Sequence, residues 1–178
     1  TQRTVAVRGD QSLIYVTNTN AGTVSVIDTG TNSVIATIPV GNGAYGIALS
    51  ADSSRAYVAN NVSSTISVID TASNTVVATI PGGIGPNLLT VSPNGARLYV
   101  SNQSSNSVSV IGTATNTVIA SVPVGIGPFG VGVTPDGTRA YVSNQISNSV
   151  SVIDTATNTV IATIGGVSSA IGVVFSLD

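Results

Sequence analysis

The chain has 178 residues, 42% of them hydrophobic and only 7% charged, with a formal net charge of −2. Length and apolar content suffice for one domain with a sizeable core, while five Arg and seven Asp, with no Lys, Glu, His or Cys, leave a surface of Thr, Ser and Asn. The charge sets aside nucleic acid and anionic membrane as partners, no apolar run reaches the roughly 20 residues of a membrane-spanning helix, and the missing His and Cys exclude disulfides, nucleophile–base triads and the usual zinc site.

The chain opens at Thr1 without an initiator Met or signal segment, as an excised or processed product would. Residues 1–10 end in a turn, Gly9-Asp-Gln11, and Leu13 to Asn18 follows as a strand. The next unit shows the full pattern. Gly46 to Ser50, Arg55 to Ala59, Thr65 to Ile69 and Thr75 to Ile80 are short β-branched runs bounded by turn residues, and none has the i, i+3, i+4 spacing of a helix. Ser92-Pro-Asn-Gly95 and Thr134-Pro-Asp-Gly137 are hairpin turns in which Pro presets φ and Gly supplies a positive one. Asp28, Asp70 and Asp154 end the third strand of their units, where a carboxylate can accept backbone N–H bonds, and Gly112 takes that place in the third unit.

Tyr15, Tyr57, Tyr99 and Tyr141 recur at intervals of 42 residues, as do Asn18, Asn60, Asn102 and Asn144. A period in this range marks a repeat architecture. The units are approximately 1–42, 43–84, 85–126 and 127–168, and 169–178 is an extra innermost strand equivalent to 1–10. Four antiparallel strands per unit, apolar or small on both faces, are the blades of an all-β propeller. Gly46, Gly130, Gly132 and Gly172 fall in the innermost strand, where room is least. The whole chain is one domain, either a closed four-blade ring or half of an eight-blade ring. An open arc would leave Val and Ile in water, which favours self-association as a homodimer completing a ring.

Tyr15-Val-Thr-Asn18, together with Ser151-Val-Ile-Asp154 and Thr157-Asn-Thr-Val-Ile-Ala-Thr-Ile164, resembles the YVTN-type β-propeller repeat. The resemblance covers essentially the whole chain. It implies a bacterial or archaeal secreted or cell-surface protein, usually of about seven blades, in a fold that also hosts lactonases and lyases.

Every Asp occupies one of two repeat positions, the first turn or the end of the third strand, so none is left for an acid–base pair. Arg55, Arg97 and Arg139 share one position, expected beside the turn Asp or Asn. No acidic cluster suits calcium, and neither metal nor cofactor is expected. Arg8-Gly-Asp10 on a turn, and the sequons at Asn61 and Asn102, are explained by turn chemistry and by an Asn- and Ser-rich composition. The repeats disagree at Arg3, Tyr45, Asn87, Phe129 and Ile171, on the connection between blades. Two aromatics, an amide and a guanidinium around a channel mouth have the composition of a ligand or partner site; the alternative is that Tyr45 and Phe129 plug the gap between blades. The sequence thus points to a non-enzymatic module for protein interaction or scaffolding. The alternatives are a propeller-enzyme fragment or an engineered or excised piece without a ligand of its own.

Overall fold

Sixteen strands form four antiparallel sheets in a computed structural model that describes residues 4–10 and 12–175. The first sheet holds β1 (Val5–Val7), β2 (Leu13–Asn18), β3 (Thr23–Asp28) and β4 (Ser33–Pro39). The second holds β5 (Ala44–Leu49), β6 (Arg55–Asn60), β7 (Thr65–Asp70) and β8 (Thr75–Pro81). The third holds β9 (Pro86–Val91), β10 (Arg97–Asn102), β11 (Ser107–Gly112) and β12 (Thr117–Pro123). The fourth holds β13 (Pro128–Val133), β14 (Arg139–Asn144), β15 (Ser149–Asp154) and β16 (Thr159–Gly165). Each sheet is a simple meander, because every connection within it is a hairpin turn.

The turns repeat as closely as the strands. Between the third and fourth strands the chain reverses at Asn32, Asn74, Asn116 and Asn158, with φ of 52, 53, 52 and 54°, a left-handed conformation that Asn tolerates. The preceding carboxylate fixes three of these turns: Asp28 accepts from the Thr31 amide at 2.8 Å, Asp70 from Ser73 at 2.9 Å and Asp154 from Thr157 at 2.9 Å. These bonds favour the ionised form and hold all three carboxyls below the ordinary carboxylate value.

The core lies between sheets. Tyr15, Val24, Val26 and Ile38 of the first sheet pack on Ala44, Ile47, Ala56, Val58 and Ile69 of the second. The same positions recur where Tyr57 meets Leu98, Val100 and Ile111, and where Tyr99 meets Ala140, Val142 and Ile153. Each Tyr therefore fills space between blades, and its burial requires the next blade. Close approach at the axis explains the glycines of the inner strands: a Cβ on Gly46 would lie 2.3 Å from the Asn87 carbonyl oxygen.

Exposure distinguishes the two ring arrangements. The innermost strands meet in the order β1, β5, β9, β13, and no comparable contact joins the fourth sheet to the first among the described residues. Ile38, Ile80 and Val122 are 3, 2 and 2% exposed, whereas Ile164, their equivalent in β16, is 47% exposed. The four sheets form an open arc, the half-propeller form of the expected fold.

Residues 166–175 form no strand, although they follow the course expected of an extra innermost one. Ser169 repeats the left-handed turn of Gly127, and its amide donates to Asn148 Oδ1 at 2.9 Å, as that of Gly127 donates to Asn106 Oδ1 at 2.9 Å. The Ile171 carbonyl then lies 2.6 Å from the Cβ position of Gly130, and Phe175 packs edge-on against Tyr141 at 5.6 Å. The segment takes the place of a fifth inner strand, but no second strand lies beside it to form a ladder. Residues 176–178 of the expected strand lie outside the described residues.

Candidate binding face

The loops between second and third strands are bonded to the connections that enter each sheet, which places both on one face. Asn61 N donates to the Gly43 carbonyl at 2.9 Å, Gln103 N to Gly85 at 2.9 Å and Gln145 N to Gly127 at 2.9 Å. Glycine permits this overlay: at Gly127, where φ is 66°, a Cβ would fall 2.6 Å from Ile146 Cγ1. The repeated Asn anchors the loop from below. Asn60, Asn102 and Asn144 are fully buried, and their Nδ2 atoms donate to Ser67, Ser109 and Ser151 at 2.9, 2.8 and 2.9 Å, while Asn18 makes the same bond to Ser25 at 2.8 Å. This repeated Asn is a strand tie. Burial also removes Asn102 as a glycosylation acceptor in the folded chain.

On this face Tyr45 and Phe129 come together although they belong to the second and fourth sheets, with ring centroids 5.9 Å apart and planes at 83°. Both rings are half-buried, and burial pushes the Tyr45 hydroxyl pKa up. Their backbone is held from the preceding blade, where Thr17 Oγ1 donates to the Tyr45 carbonyl at 2.8 Å and the Ser101 hydroxyl donates to that of Phe129. Asn87, at the equivalent place in the third sheet, is buried instead. Its Oδ1 accepts from Asn61 Nδ2 at 2.9 Å, and its own Nδ2 has no partner. Ile171 is exposed on the terminal segment, and Arg3 lies outside the described residues.

A feature of this face that the repeat pattern did not single out is its apolar tips. Val62, Ile84, Ile126 and Ile146 stand exposed on the loops and connections, Val62 by 73%. Their signal in the sequence is a lone β-branched residue inside an Asn, Ser or Gly loop.

The opposite face carries grooves between successive turns. One of about 430 Å³ is lined by Asp52, Arg55, Tyr57, Asn94 and Thr113; its counterpart one blade on, about 280 Å³, includes Asn94, Arg97, Tyr99 and Thr155. Arg55 lies opposite Asp70 in the β-ladder and pairs with it, not with the turn residue Asp52. Asp52 is satisfied locally by the Ser50 hydroxyl and by the Ser54 amide and hydroxyl, which hold its pKa at about 2. Arg97 faces Gly112 in the same register, finds no carboxylate there, and donates to the Thr155 carbonyl of the next sheet. Among the described residues no group of three or more carboxylates could hold a metal ion.

Comparison with known proteins agrees with this architecture. The family model of the YNCE-like β-propeller matches residues 83–178, and that of the seven-bladed lactonase β-propeller matches residues 2–122. No curated protein sequence matches the chain. Among solved structures, hydrazine synthase from Kuenenia stuttgartiensis is similar at 26% identity and a TM-score of 0.87, over 90% of this chain and 47% of that one. A functionally unknown protein from Desulfotomaculum acetoxidans is similar in fold, at 22% identity and a TM-score of 0.85, over 97% of this chain and 58% of that one. The chain thus spans about half the length of these structures. Each family model covers more than half of the 178 residues, and the chain belongs to the β-propeller family that the two describe.

Proposed function

We propose that the chain is a non-enzymatic interaction module that binds a polypeptide partner through its loop face, as part of a secreted or cell-surface protein. One observation carries the reading: a Tyr45–Phe129 anchor shares a face with the exposed tips Val62, Ile84, Ile126 and Ile146. Interfaces concentrate binding energy in such aromatic anchors and surround them with polar rims, which the Asn and Ser loops supply. The YVTN-type resemblance supports the extracellular setting. To test the reading, a peptide library displayed on phage would be selected on the chain. Binders rich in apolar residues that are lost on Tyr45→Ala together with Phe129→Ala support it; binders indifferent to that pair, or none at all, refute it.

A lactonase-like activity is the second reading, favoured by the family match over residues 2–122. Against it, the sequence contains no His, and the described Asp carboxyls are all held below their ordinary value, which suits them poorly to proton transfer near neutrality. Turnover of a panel of lactones above the buffer rate would favour the enzyme.

A further inference from the structure

The two open faces of the arc carry the two sides of the contact that joins successive sheets in the interior. On the fourth sheet, Tyr141, Val150 and Ile164 occupy the positions that Tyr99, Val108 and Val122 use to cover the next blade, and Tyr141, Val150 and Ile164 are only partly covered. On the first sheet, Ile14, Val16 and Ile27 occupy the positions of Leu98, Val100 and Ile111, which are fully buried by a preceding blade, and are themselves half-buried. A second copy brings to each face the complement that the interior already uses. Such a contact is head-to-tail, and it either closes a ring or grows a filament. Two copies give eight blades, within the four to eight of known propellers.

Such a joint has room for one innermost strand, and two compete for it. The segment from Ser169 to Phe175 already lies on β13 in the repeat position, held by the Asn148 bond and the Tyr141 contact. β1 of the arriving copy would need the same place. β1 is also the shortest strand, with three residues paired to β2 where β5, β9 and β13 have six-residue strands, and its Val5 and Val7 are exposed. We propose that two copies form an eight-blade ring by strand exchange, in which the segment Ser169–Phe175 displaces the second copy's β1 and pairs with its β2. The repeat sets the register: Val173 is four periods of 42 beyond Val5, so it comes to lie opposite Val16, where Val5 pairs now.

The absence of Cys makes this testable with introduced pairs in the full-length chain, since directly opposed residues have Cβ atoms about 4.5–5.5 Å apart. Val16→Cys with Val173→Cys, mildly oxidised, is expected to convert the chain into a covalent dimer on a non-reducing gel. Val5→Cys with Val16→Cys is expected to leave its thiols largely free. Closure of the second pair within one chain while the first stays open would overturn the exchange. Failure of both pairs to close would overturn it equally. The loop-face reading is untouched by any of these results, because its probe is a peptide bound elsewhere.

Discussion

The interior of the arc and its two ends share one strand register and one pattern of apolar positions, and they contrast in what covers those positions. Tyr99 of the third sheet is fully buried against the fourth, whereas Tyr141 at the fourth sheet's open face is covered only by Phe175 and its segment. Ile80 is sealed and Ile164 is not; Gly46 has a carbonyl against it, and Gly172, three periods later, has nothing within 4 Å. A blade of this chain is therefore not a self-sufficient core. It buries its Val, Ile and Tyr only when another blade is laid on it, which is how nearest-neighbour stability arises in repeat proteins.

The largest test of that contrast is Tyr99→Ala against Tyr141→Ala. Removing a buried aromatic side chain costs about 3–5 kcal/mol, and urea unfolding at dilutions that separate the two copies should show a loss of that order for Tyr99 and a clearly smaller one for Tyr141. Tyr99→Phe should be close to neutral, because the buried Tyr99 hydroxyl has no hydrogen-bond partner to lose. Equal losses for the two alanine variants in the separated chain would break the comparison. Next in size is Gly46→Ala, whose Cβ must push back the Asn87 backbone at a cost of about 1–3 kcal/mol. Gly172→Ala should leave the unfolding midpoint of the separated chain unchanged.

Much of this contrast was legible in the sequence, because the repeat reports local rules. The strands around Tyr15, Tyr57, Tyr99 and Tyr141, the hairpins at Pro93 and Pro135, and the inner-strand glycines all follow from patterning and turn chemistry that act within a few residues. What the sequence did not show depends on how sheets are placed against one another. The partner of Arg55 follows from ladder register, and that of Arg97 from a neighbouring sheet reached only because Gly112 offers no carboxylate. The meeting of Tyr45 with Phe129 across an intervening sheet follows from the curvature of the arc, which no single unit encodes. The lack of a ladder partner for residues 169–175, which the repeat reads as an innermost strand, is of the same kind.

Smaller effects sharpen the comparison. Asn102→Ala removes the buried tie to Ser109 and should cost about 1–2 kcal/mol, while Asn18→Ala, in the partly covered first sheet, should cost less by the same unfolding measurement. Smallest is the pH response of the exposed turns. The folded pKa of Asp52, about 2, lies below its ordinary 3.8, so its contribution is fully present above 3.8 and is lost as pH falls through about 2. Asp52→Asn should reduce the decline of stability across that window and leave stability near neutrality almost unchanged; an unaltered decline would assign it to the other turn carboxylates.

If the open faces of the arc complete one another, the unmodified chain pairs in solution, and its mass reports the pairing. Light scattering across a dilution series should give a discrete species of about twice the 17.6 kDa chain mass. A monodisperse monomer at all concentrations, or a continuous ladder of larger polymers, would contradict the two-copy ring.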